Sequence, residues 1–120
     1  MKKFLATALF TLGIVLMQFA QASAQEVYAT TETRNGQTSD TYVITESIQA
    51  ATFDGMDGFK VRLHSIGKNF SLNKYWELGF YYIPVRRDWR VVWLPSSYSD
   101  SVSKSGSTIN DILQICRRYI

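Results

Sequence analysis

Disulfide chemistry is missing from this sequence, because its 120 residues contain one cysteine, Cys116. A lone thiol cannot cross-link its own chain, so a folded domain must be stabilised by packing. Histidine is equally scarce, with His64 as its only representative. No metal-ligand cluster, phosphate-binding glycine loop or nucleophile elbow appears, so no catalytic residue, no metal ligand and no cofactor is expected. Charge of one sign is lacking too. Without Lys2 and Lys3, 11 basic residues face 10 acidic ones, and a net charge of +1 leaves none of the basic footprint that nucleic-acid binding requires.

Those two lysines are set apart because charge is also absent from the stretch that follows them, up to Glu26. Lys2 and Lys3 form a basic start, and Phe4 to Met17 is an apolar run shorter than the roughly 20 residues of a spanning helix. The run gives way to Gln18 and Gln21 before the small residues Ala22-Ser23-Ala24. This is the pattern of a secretory signal peptide, residues 1–24, cleaved after Ala24. A retained anchor is the rival reading, since Phe19 and Ala20 extend the apolar stretch. On the first reading the mature chain, 25–120, is a single small domain, periplasmic or secreted, which meets the membrane only through its signal peptide. Its length exceeds the roughly 40 residues below which cross-links or metals are usually needed.

From Glu26 to Leu94 the sequence alternates with period two and is rich in β-branched and aromatic residues, the signature of antiparallel strands. Five are expected. Val27 to Thr33 and Thr41 to Ile48 flank Asn35-Gly36, the dipeptide best suited to a tight hairpin. The cluster Asp54-Gly55-Met56-Asp57-Gly58 breaks the chain before Phe59 to Ile66. Tyr75 to Ile83 ends at Pro84, and Asp88 to Leu94 ends at Pro95. The alternating serines of 96–107 are expected to form a solvated connection rather than a sixth strand. Beyond them Ile109, Ile112, Leu113, Cys116 and Ile120 follow helical spacing, with Ser107 or Thr108 as the cap and Asp111 in the first turn. The fold class is therefore α+β: a five-stranded antiparallel meander with one C-terminal helix packed on the face that carries Phe59, Val61, Leu63, Trp76, Leu78, Phe80, Trp89, Val91 and Trp93.

Pleating sends the intervening residues to the other face, which should collect Lys60, Arg62, His64, Tyr75, Glu77, Tyr81 and Arg90. Tyrosine and arginine combine flat contact area with hydrogen bonding and are enriched in binding hot spots. The expected binding residues are Lys60, Arg62, His64, Tyr75, Tyr81 and Arg90, centred on an outward Arg62 and Tyr81. His64, beside Lys60 and Arg62, reads as a solvated side chain. Cys116, within the helical stripe, reads as a buried apolar residue. The two aspartates of the 54–58 cluster lack the spacing of a calcium loop and read as turn chemistry, and Asn69-Phe70-Ser71 matches the glycosylation acceptor pattern.

These features point to an exported, non-enzymatic binding module whose partner is a protein or glycan of the cell envelope or exterior, and not a nucleic acid. Two alternatives stand beside it: a small envelope hydrolase in which His64 works with Glu77, and a structural subunit of an assembly.

Overall fold

The computed structural model describes residues 25–120; the expected signal peptide, 1–24, lies outside the described residues. Two tight turns set the first three strands. Asn35 and Gly36 take positive φ angles of 51° and 80°, and Asp54 and Gly55 take 52° and 77°. Such angles match the twist of a two-residue hairpin and cost asparagine, aspartate and glycine least. They join β1 (Glu26–Arg34), β2 (Gln37–Phe53) and β3 (Met56–Gly67). There follow β4 (Asn73–Ile83), β5 (Asp88–Leu94), β6 (Tyr98–Ser101), a 3-10 turn (Val102–Lys104) and α1 (Ser107–Arg117). The six strands lie in sequence order as one antiparallel sheet, so the α+β meander with a C-terminal helix holds, with one strand more than expected. No helix among the described residues is long and apolar enough to cross a membrane.

The sixth strand comes from the serine stretch read as a connection. Tyr98 to Ser101 pair with Trp93 to Arg90, and Tyr98 packs on Trp93 with ring centroids 5.5 Å apart. Ser101, which is buried, donates its hydroxyl to Asp88 at 2.8 Å. Short polar side chains that bond locally thus supply what apolar alternation supplies elsewhere.

β2 also departs from expectation, running on past Ile48 to Phe53. Its pairing with β3 jumps from Ile44 opposite Arg62 to Gln49 opposite Lys60. Residues 45–48 therefore face a single residue of β3 and form a wide bulge. Ser47, inside the bulge, bridges the pair that precedes it, accepting the Arg62 N–H at 2.7 Å and donating to the Ile44 carbonyl at 2.6 Å. Beyond the bulge the parity of β2 is reversed, so Phe53 falls on the face opposite the helix and its ring lies over Gly79.

On the helix face, Leu63, Leu78 and Phe80 are fully buried with Val43, Val61 and Val91. Burying each large side chain stabilises the fold by about 1.5–3 kcal/mol. Ser65 shares this face and is satisfied by Thr41 and by the Trp76 indole N–H, both at 2.9 Å. α1 brings Ile109, Ile112, Leu113, Ile115 and Cys116 onto this core. Its start is not capped as expected: Gly106, at φ 92°, is the cap residue and makes no side-chain bond. Instead Thr108 donates to the Glu32 carboxylate of β1 at 3.2 Å, which places negative charge by the first turn. The helix ends at Arg117, so Ile120 leaves the stripe and is exposed. Arg117 lies over the Trp89 ring, 5.6 Å from its centroid.

Burial pushes the Cys116 thiol up to about 12. Thiol reagents should label the folded domain far more slowly than the denatured chain, because the thiolate is the reactive form; equal rates would place Cys116 outside the core. Gly79 is the second test. A methyl group there would run into the Phe53 ring, so Gly79→Ala should cost about 1–3 kcal/mol in denaturant unfolding. In a Phe53→Ala background most of that cost should disappear.

Candidate functional site

The face away from the helix is organised by strand register. Tyr28 pairs with Tyr42, Tyr42 with His64, and His64 with Tyr75, so one row of rings crosses β1 to β4. The next row places Glu26, Ile44, Arg62, Glu77 and Leu94 side by side. Rows beyond it hold Lys60 beside Gly79, then Tyr81 beside Arg90.

His64 is the centre of the ring row and is not the solvated side chain expected: it is 8% exposed. Three neighbours cover it. Its Nδ1 lies 2.8 Å from the Glu26 carboxylate, and its Nε2 lies 2.5 Å from Asn73 Oδ1. Tyr75 stacks on it with centroids 4.1 Å apart and planes 14° from parallel. Glu26, on an edge strand at the far side of β2, was not visible as a partner from sequence, since 38 residues separate it from His64. With two oxygens facing the ring, only the imidazolium supplies both donors. The neutral ring would need the Asn73 amide turned to present its nitrogen. Burial alone lowers the His64 pKa, but the hydrogen bonds to Asn73 and Glu26 and the charge of Glu26 outweigh it, and the net shift is upward.

Arg62 is exposed and places its guanidinium 5.2 Å from the Tyr75 ring centroid. Tyr75 is 51% exposed. Arg62, His64 and Tyr75 thus form one cluster with Glu26 and Asn73. Lys60 is half-buried beside Gly79. Tyr81 occupies the expected face but is 5% exposed, not outward, because Phe53 stacks on it at 6.0 Å. The bulge that carries Phe53 there left no period-two trace. Tyr81 lies six residues from Tyr75 along β4, roughly 20 Å at strand rise. Arg90, half-buried beside it, makes a long 3.5 Å contact with Ser99, and its Nε has no hydrogen-bond partner among the described residues. The expected residues therefore fall into two groups at opposite ends of the face.

Other features stand apart from this cluster. A groove of about 380 Å³ opens on the helix side beside the C-terminus, walled by Ile48, Phe59, Tyr82, Trp89, Tyr119 and Ile120. The Asn69 amide of the acceptor-like tripeptide clips the β3–β4 loop to the first hairpin, accepting from Thr38 N–H and donating to the Gly36 carbonyl, both at 2.8 Å. Among the described residues, no three His, Cys, Asp or Glu side chains converge as a metal site.

No family model matches the chain, and no significant match exists among curated proteins or solved structures.

The raised His64 pKa has a defined sign. A group held protonated by folding contributes stability that is fully present below its unfolded value of 6.5 and is lost as pH rises through the folded value. The chain has no second histidine to obscure the effect. Thermal unfolding should therefore show Tm falling as pH rises above about 6.5. Glu26→Gln should flatten that fall, and an unchanged slope would show that the carboxylate does not hold the proton.

Proposed function

We propose that residues 25–120 act as an exported, non-enzymatic binding module, periplasmic or secreted, which engages a partner of the envelope or exterior through Arg62 and Tyr75. The observation that carries this reading is the backing of an exposed tyrosine. Tyr75 is held by His64 on its ring face and by Arg62 above it, while His64 is itself clamped by Glu26 and Asn73. A side chain fixed before contact loses little entropy on binding, which is the property of a hot-spot residue. Tyr75, 51% exposed, keeps the rest of its ring and its hydroxyl open to a protein or glycan partner.

The hydrolase reading gains less support. A general base needs a free nitrogen directed at a nucleophile, whereas both nitrogens of His64 are hydrogen-bonded. The acid beside it is Glu26 rather than Glu77.

Mature wild-type protein and an Arg62→Ala/Tyr75→Ala double variant should be used as parallel baits on native envelope and medium. A partner held by the wild type should bind the double variant at least about 10-fold more weakly, with far-UV circular dichroism unchanged. Equal retention on both baits would place the binding surface elsewhere.

A further inference from the structure

Gln25, the first described residue, is held at both of its main-chain groups. Its N–H donates to the Glu46 carboxylate at 2.7 Å. Its carbonyl accepts the Thr45 N–H at 3.0 Å and the Thr45 hydroxyl at 3.3 Å. Thr45 and Glu46 both belong to the bulge of β2, so a carboxylate is presented beyond the end of β1 where regular pairing would supply only backbone. A peptide N–H brings this carboxylate a donor but no charge to pair with it. An α-ammonium group at the same atom would gain a charge-assisted hydrogen bond.

We propose that Glu46 is the seat of the processed N-terminus: cleavage between Ala24 and Gln25 creates an α-ammonium group that docks on the Glu46 carboxylate, and this docking keeps Gln25 from cyclising. The proposal rests on the export reading. The reaction it suppresses is intrinsic to an N-terminal glutamine. The lone pair of the neutral α-amine attacks the side-chain amide carbon, a new N–Cδ bond closes a five-membered lactam, the Cδ–Nε2 bond breaks, and one amine proton passes to the departing NH2, which leaves as ammonia. Only the neutral amine, free to swing towards its own side chain, can attack. Glu46 holds the nitrogen as ammonium, and Thr45 holds the carbonyl on the other side of Cα. The seat also reaches the candidate site, because Glu26, the next residue, places its carboxylate on His64 at 2.8 Å.

The precursor should be produced in an exporting host, and the mature protein collected from outside the cytoplasm. Intact mass and N-terminal sequence should then be followed during storage at one pH and temperature, for wild type, Glu46→Gln, Thr45→Val and urea-unfolded wild type. The wild type should begin at Gln25 and keep its amine. Glu46→Gln, whose exposed side chain leaves the core untouched, should lose one ammonia several-fold faster, approaching the unfolded chain, with Thr45→Val in between. Equal rates for wild type and Glu46→Gln would overturn the seat and leave export standing. A processed chain beginning at another residue would overturn it through its cleavage point. Retention of the full-length chain in the cytoplasm would remove the export reading itself.

Discussion

At the point where the β2–β3 ladder shifts register, one hydroxyl bridges the last pair before the bulge: Ser47 accepts the N–H of Arg62 and donates to the carbonyl of Ile44. The bonds matter because of what they allow on either side. Before the bulge, even-numbered residues of β2 such as Tyr42 and Ile44 look away from the helix; after it, odd-numbered residues such as Phe53 do so. A single uninterrupted strand could not present Val43 to the core in its first half and Ile48 and Ala50 to the same side in its second. The same insertion carries Phe53 to Gly79, buries Tyr81, and presents Thr45 and Glu46 next to the start of β1. The Arg62 N–H and the Ile44 carbonyl, which would otherwise be stranded at the edge of the bulge, are satisfied by the Ser47 hydroxyl.

The face opposite the helix owes its character to a buried ring. His64 spans Glu26 on the edge strand and Asn73 at the start of β4, tying together chain segments that the meander itself brings close only through β2 and β3. Burying a charged imidazolium is costly unless its donors are met, and here both are. The outcome is a hydrogen-bonded base against Tyr75, with the exposed guanidinium of Arg62 near the same ring. At the opposite end of the face, aromatic cover by Phe53 replaces exposure, and Arg90 is drawn in against Ser99. Closure at that end leaves the Arg62 and Tyr75 end as the accessible part.

Much of this architecture was legible in the residues, and the reasons are physical. Phe59, Val61 and Leu63 against Lys60, Arg62 and His64 specify a half-buried strand. Asn35-Gly36 specifies its turn, and the spacing from Ile109 to Cys116 specifies a helix on an apolar face. What stayed hidden depends on bonds between groups far apart in the chain. Ser47 looks like any strand serine until its hydroxyl is seen in the ladder. Thr108 meets Glu32 across the sheet, so local capping rules pointed to Ser107 or Thr108 and missed Gly106. β6 carries polar alternation, which periodicity cannot distinguish from a solvated loop. In the candidate site, Arg62 and Tyr75 follow from pleating alone. The burial of His64 needed Glu26, and that of Tyr81 needed Phe53, neither of which any local pattern predicts.

The sequential order of the strands shapes how the chain reaches its folded state. Each strand pairs with the one synthesised just before it, so loops to be closed are short and a growing sheet can extend hairpin by hairpin, a topology of low contact order. The apolar face, however, stays open throughout that growth. It is covered only when α1, the last element, docks on the earliest strands, a closure marked by Thr108 reaching Glu32 across 76 residues. Until then the nascent sheet exposes Leu63, Leu78 and Phe80 together. An interrupted polypeptide ending before Ser107 would carry that surface permanently, which makes the helix a cover against self-association as much as a part of the core.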